Sequence, residues 1–224
     1  MMRPFWWGRH CCMSLLVFLT FCLPHAVGDD KAAPHYAQDF EKDDPSGDPP
    51  ADLMNLDGTF AVKKVDGNGV LELEPDPLDS HGMLFGPAEF NAYVVSARIQ
   101  GFATGKRMPE FGVGACGPNR YKLWLMPATG ELQLIRGDEV KSSQPYKWES
   151  GGWTRFKLQV SKQSDGKFKI QGKAWPDGKE EPKDWMLAME DTEAPRPGRA
   201  GIYATPYSDK VTRFDDLRVD PPGQ

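Results

Sequence analysis

Of the four cysteines in this 224-residue sequence, Cys11, Cys12 and Cys22 fall within the first 28 positions. Beyond them only Cys116 remains, so the body of the chain has no pair for an intrachain disulfide. A lone cysteine in an exported chain can form an intermolecular bond or act as a reactive thiol. Within Val113-Gly114-Ala115-Cys116 it reads more simply as a small hydrophobe in a strand. No Asn-x-Ser/Thr glycosylation acceptor occurs anywhere. Histidine is also scarce: past residue 28 there are only His35 and His81. A zinc site draws on three or four clustered His, Cys or carboxylate ligands, so a transition-metal centre is not expected. A nucleophilic triad is not expected either, because no Gly-x-Ser-x-Gly elbow accompanies His81. The net charge is −5 with no basic block, which argues against a nucleic-acid partner. The longest apolar run, Met13 to Leu23, has 11 residues, whereas a membrane-spanning helix takes roughly 20.

What is present begins with a basic start (Arg3, Arg9, His10), that apolar run, and Ala26-Val27-Gly28 before Asp29. This is the three-part pattern of a secretory signal peptide over residues 1–28. An uncleaved anchor and a lipoprotein at Cys22 are the alternatives, and Phe21 is too large for the position before a lipidated cysteine. Cleavage would leave 196 of the 224 residues at net charge −7, since Arg3 and Arg9 depart with no acid. A secreted, periplasmic or envelope protein of bacterial type is expected, with no transmembrane anchor after cleavage. Residues 29–55 are acidic and rich in proline (Pro34, Pro45, Pro49, Pro50). They read as a disordered tether with Phe40 as its one anchor.

From residue 56 to residue 220 the sequence alternates short apolar-periodic runs with Gly, Pro and Asn turns, and residues 221–224 form a tail. Phe156, Leu158 and Val160 fall on one face of a run and Arg155, Lys157 and Gln159 on the other, the period-two mark of a half-buried strand. Asp66-Gly67-Asn68-Gly69 predicts a hairpin between 59–65 and 70–74. About twelve strands and no convincing helix result. An all-β antiparallel sandwich or barrel is therefore expected.

The C-terminal half carries Gly152-Trp153-Thr154-Arg155-Phe156, Ala174-Trp175-Pro176-Asp177-Gly178, Gly198-Arg199-Ala200-Gly201-Ile202-Tyr203 and Phe214-Asp215-Asp216-Leu217-Arg218-Val219, in that order. This series resembles the laminin-G-like and concanavalin A-like lectin/glucanase jelly rolls of bacterial secreted proteins. Among these is the domain named after 3-keto-disaccharide hydrolases. The resemblance covers residues 56–219 and is firmest from Gly152 onward. It narrows the expected fold to a two-sheet antiparallel jelly-roll sandwich. It implies a face that holds sugars by aromatic stacking and polar contacts, with a glycan or polysaccharide as partner.

The candidate chemistry is sparse. Glucanases of this fold place catalytic carboxylates at alternate positions of one strand. The nearest arrangement is Glu72-Leu73-Glu74, which Pro75 interrupts at once, so it reads as a solvated face. The best single acid is Glu110, and Arg107, Glu110, Arg120, Tyr121 and Trp124 are expected to line one groove. Trp175, before a turn, is expected as a surface aromatic for ligand. Asp215 has two readings. If it shares the face of Leu217 and Val219 it points inward and needs a cation or backbone N–H groups. The resemblance then implies a structural calcium, with oxygens from Asp57 or Gly58. If a β-bulge intervenes, it points outward. The leading expectation is a non-catalytic carbohydrate-binding module. A hydrolase or lyase of a modified disaccharide is the alternative, and a structural envelope domain with a protein partner is the third.

Overall fold

The computed structural model describes residues 1–3, 33–45, 47–76, 79–88 and 90–222. Beyond residues 1–3, the expected signal segment lies outside the described residues. Fifteen strands and no helix occur among the described residues. In chain order they are β1 (Tyr36–Gln38), β2 (Met54–Asp57), β3 (Phe60–Val65), β4 (Asn68–Leu73), β5 (His81–Phe85), β6 (Tyr93–Gln100), β7 (Glu110–Ala115), β8 (Tyr121–Met126) and β9 (Glu131–Arg136). They continue with β10 (Glu139–Pro145), β11 (Trp153–Lys162), β12 (Phe168–Pro176), β13 (Leu187–Asp191), β14 (Ala200–Thr205) and β15 (Thr212–Asp220).

These strands form two antiparallel sheets of a jelly-roll sandwich. One runs β13-β12-β11-β6-β15-β4-β3, and the other β10-β9-β8-β7-β14-β5-β2. Strict alternation creates the core between them. From the first sheet Phe156, Leu158, Val160 and Ile99 point inward, and from the second Phe111, Val113, Leu123 and Ile202, all fully buried. Phe111 and Phe156 meet edge to face with ring centroids 5.9 Å apart. Burial of each such side chain stabilises by about 1.5–3 kcal/mol. The long hairpin β11–β12, paired without interruption from Thr154 to Lys162, is the alternation read from the sequence.

The hairpin β3–β4 turns on Asp66 and Gly67 alone, both at positive φ (52° and 87°). Asn68 and Gly69 already belong to β4, opposite Val65 and Lys64. A two-residue loop with positive φ at both positions matches the right-handed twist of its strands.

The tether expectation is corrected over the described part of residues 33–55. Tyr36, Ala37 and Gln38 pair with Val219, Arg218 and Leu217 of β15. Phe40 is 1% exposed, and Met54 and Asn55 pair with Leu84 and Met83 of β5. Proline and acid content made the segment look unable to fold, but it borrows apolar surface from a core built elsewhere. Two strands are added this way. A third, β10, is exposed along most of its length; it carries no apolar period and its hydrogen-bonded partner strand is β9.

Cys116 closes a structural contact. Its amide donates to the Tyr93 hydroxyl at 2.7 Å, and that hydroxyl donates to the Gly198 carbonyl at 2.7 Å. Burial pushes the Cys116 thiol up to about 12, which removes the thiolate that reactivity requires.

Candidate functional site

The outward faces of the two sheets differ in chemistry. On the first sheet an ionic network surrounds Arg98. A bulge in β15 between Asp215 and Arg218, with Asp216 at φ 51°, sets Asp215 opposite Arg98 of β6 rather than in the core. Asp215 is 1% exposed, and every requirement of its carboxylate is met by the protein. It accepts from Arg98 Nη2 (2.5 Å), Arg98 Nε (3.2 Å), Asn68 Nδ2 (2.8 Å) and the amide of Asp216 (2.6 Å). Burial nevertheless pushes its carboxyl up, with Asn68, Arg98 and the Asp216 amide pulling the other way. Asp57, expected as a companion oxygen, bonds instead to His81 Nδ1 at 3.0 Å. Among the described residues no group of three or more His, Cys, Asp or Glu side chains is arranged to hold a metal ion. His81 begins β5 and is 3% exposed.

Arg120 and Tyr121 leave the expected groove. Alternation turns Tyr121 into the core, where its hydroxyl donates to Asp191 at 2.8 Å. Arg120 Nη2 reaches the same carboxylate at 2.9 Å and Arg136 Nε at 2.6 Å, while Asp191 also accepts from the Glu193 amide. Burial raises the Asp191 carboxyl, but these donors outweigh it and hold the group below its ordinary value. The cluster is a clamp between β8, β9 and the end of β13. Trp175 lies on the other sheet, apart from Glu110 and Trp124. It stands on the outward face of β12 beside Lys173, yet it is only 8% exposed. Lys173 lies beneath the following loop, with its Nζ 2.6 Å from the Pro182 carbonyl and 4.8 Å from the Trp185 ring centroid. Arg107 is exposed and makes no side-chain ion pair among the described residues.

Glu110 and Trp124 do come together, on the outward face of the second sheet. Trp124 Nε1 donates to Glu110 Oε2 at 3.2 Å. Register fixes their surroundings. Gly112 lies opposite Trp124 on one side and Tyr203 on the other, and Gly114 lies opposite Lys122 and Gly201. Gly82 of β5 is opposite Tyr203. These glycines leave a floor without side chains, and the Tyr203 ring lies across it. A Cβ placed on Gly82, Gly114 or Gly201 would come within 2.5–2.8 Å of Tyr203 atoms. Trp124, Tyr203 and Leu84 form one apolar cluster with half-buried Met126 and Ile135 against it.

Lys122 extends over this cluster, its Nζ 4.9 Å from the Tyr203 ring centroid. Desolvation lowers its pKa, opposed only by the field of Asp138. Tyr203 is 4% exposed, and its hydroxyl has no hydrogen-bond partner among the described residues. Burial raises the phenol well above its ordinary range, so it is a donor and not a base near neutrality. Lys122 and Tyr203 were not singled out from the sequence. The available signal was glycine at alternate strand positions, Gly112 and Gly114, which marks close approach over a sheet.

No family model matches the chain, and no curated protein matches it. Solved structures do share its fold. One is a marine alginate lyase from Aplysia kurodai, TM-score 0.57 at 8% identity, covering 85% of this chain and all of that one. Another is a protein of unknown function with a galectin-like fold from Bacillus subtilis, TM-score 0.56 at 13% identity, covering 85% of this chain and 97% of that one. A third is the alginate lyase Aly36B in complex with an alginate trisaccharide, TM-score 0.50 at 9% identity, covering 84% of this chain and 98% of that one. At such identities the similarity establishes the jelly-roll sandwich.

Proposed function

We propose that the outward face of the second sheet, along β8, β7 and β14, is a carbohydrate-binding surface and that the protein is a non-catalytic glycan-binding module. The observation that carries this reading is the Trp124–Tyr203 pair laid on a glycine floor, with polar Glu110, Lys122 and Gln133 around it. A sugar ring offers an apolar C–H face and an edge of hydroxyls, and a site for it needs both chemistries side by side. Two fold neighbours are named as alginate lyases, which supports a glycan on a sandwich of this shape. The non-catalytic part rests on the state of the acids and bases: Glu110 is engaged by an indole N–H, and Tyr203 is held protonated.

The test is a thermal-melt and calorimetric screen of the protein against a broad glycan panel, repeated on Gln133→Ala and Met126→Ala. A ligand that binds only the native state raises the melting temperature by mass action. A glycan-dependent rise that shrinks in both variants is expected, and a flat response across the panel overturns the reading.

A second reading, hydrolysis, is favoured by one observation. Glu110 and Glu131 flank Met126 in the same cross-strand row, two strand spacings of about 4.8 Å apart. That backbone separation, about 9.6 Å, lies just beyond the window of about 6.5–9.5 Å between the carboxyl groups of inverting glycosidases, so both side chains would have to lean toward Met126. Hydrolysis is also where the resemblance to the 3-keto-disaccharide hydrolase domain would lead. Turnover of a bound glycan that disappears in both Glu110→Gln and Glu131→Gln would replace the binding reading with this one. The proposed setting is extracytoplasmic, on the strength of residues 1–28. Mass spectrometry finding Asp29 as the N-terminus of exported protein supports it, and finding the chain only in the cytoplasm with Met1 intact removes it.

A further inference from the structure

The cation of this face lacks a counter-ion. Lys122 makes no ion pair and no hydrogen bond among the described residues. It is the inward-leaning member of the row Lys122, Gly114, Gly201, so its ammonium is drawn over the ring of Tyr203 instead of out to solvent. Below it the Tyr203 hydroxyl lies against Gly201, where an added Cβ would sit 2.5 Å from the oxygen. That hydroxyl is buried and has no acceptor among the described residues. Several half-buried cations elsewhere are matched differently. Arg98, Arg120, Arg136, Arg155, Lys157 and Arg213 each face a carboxylate.

A partly desolvated ammonium and an unsatisfied hydroxyl donor side by side ask for the same thing, an anionic oxygen. From this juxtaposition we infer that the sugar bound on this face is acidic, with its negatively charged substituent seated on Lys122 beside Tyr203. The inference rests on the carbohydrate reading of the face and narrows it from glycans in general to anionic ones. The shared chemistry is an oxyanion on a pyranose ring. A uronate carboxylate and a sulfate ester both provide it, and an ammonium is a point charge that does not choose between them by shape. The overall charge of the protein is negative, so attraction of such a ligand must be local and come from this lysine.

The experiment is calorimetric titration with three matched hexasaccharides: a 1,4-linked uronate, its carboxyl-reduced neutral counterpart, and that neutral counterpart carrying sulfate esters. Binding of one or both anionic hexamers is expected, with the neutral one weaker by about ten- to hundredfold, as befits loss of a charge-assisted contact. Lys122→Met keeps the aliphatic stem over Tyr203 and should bring the anionic hexamer down to the level of the neutral one. Lys122→Arg should retain most of the preference. The uronate and sulfate arms separate the two sources of the anion. Equal binding of the neutral hexamer, or no effect of Lys122→Met, overturns the inference and leaves the carbohydrate surface standing. No binding of any hexamer, with a flat response to the broader glycan panel, removes both together. Circular dichroism and the melting temperature of each variant confirm that a lost signal is not lost folding.

Discussion

The carbonyl oxygen of Phe40 occupies the space that a side chain on Gly69 would need. The N-terminal segment crosses β4 at this point, and the Gly69 amide donates to Glu41 Oε1 at 2.9 Å. Gly69→Ala should therefore expel residues 33–45 without disturbing the hairpin turn, which lies at Asp66 and Gly67. The expected outcome is faster limited proteolysis within 33–45. A loss of about 2–3 kcal/mol from re-exposing Phe40 and its neighbours should accompany it, read by urea denaturation.

Asp215 is held by Arg98, Asn68 and a backbone amide, so its removal should act as the breaking of a buried pair. Asp215→Ala is expected to cost about 3 kcal/mol, the low end of that class, because Asp177 and Asp216 still face the guanidinium. Calcium at millimolar levels, or a chelator, should leave the wild-type melting temperature unchanged. A calcium-dependent rise that vanishes in Asp215→Ala would restore the ion as a ligand of this residue.

The clamp on Asp191 sets an acid limit. Its folded-state pKa lies below the ordinary 3.8, so the unfolded chain takes up a proton first as pH falls. The stabilisation is complete above that value and drains away below it. In a urea-denaturation series from pH 6 to pH 2.5 (about the carboxylate range), Asp191→Asn should be less stable than wild type at the upper end. The gap should close as the pH falls.

Tyr203 offers a case where removing a polar atom helps. Its hydroxyl is buried without a partner, a situation that costs about 1–3 kcal/mol. Tyr203→Phe should raise the stability of the unliganded protein by about 1 kcal/mol while weakening any anionic ligand. A drop in melting temperature would mean that the hydroxyl is already satisfied.

Lys122 shares the pH slope of Asp191 but from the opposite cause, a desolvation penalty that weighs on its protonated form and is relieved on deprotonation. Its pKa is depressed below 10.5 by desolvation, so between the folded and unfolded values the unfolded chain binds more protons and stability climbs with pH. The groups facing it are Tyr203 from β14 and, more distantly, Asp138 from the β9–β10 turn. Lys122→Met should abolish that climb in an alkaline denaturation series. Anion affinity in the wild type should fall over the same interval.

The strands with strong alternation were legible from the sequence because their periodicity is set by burial on one face. Phe156, Leu158 and Val160 announce β11 wherever it sits. Strand β10 was not legible, since an exposed edge is held by backbone bonds that leave no side-chain pattern. Trp124 and Glu110 meet on neighbouring strands joined by a short connection, a proximity that nearness in sequence suggests. Lys122 and Tyr203 were missed because their meeting depends on β14 inserting between β7 and β5, and strand order is written in no local feature. Arg120 and Tyr121 were misplaced for a related reason: the acid that captures them, Asp191, lies about seventy residues later, and nothing near them announces it. For Asp215 the two alternatives turned on one bulge, which a strict period of two cannot foresee.

Strand β15 is the last to be synthesised, yet it is an interior member of its sheet. It lies between β6 on one side and, end to end, β4 and β1 on the other. Neither flank can be joined to the other until residues 212–220 arrive, and the pairs they make span most of the chain. Such separations delay folding by the entropy of closing long loops. The first sheet is thus held open, with the edges of β6, β4 and β1 unpaired along β15, until residues 212–220 have been made.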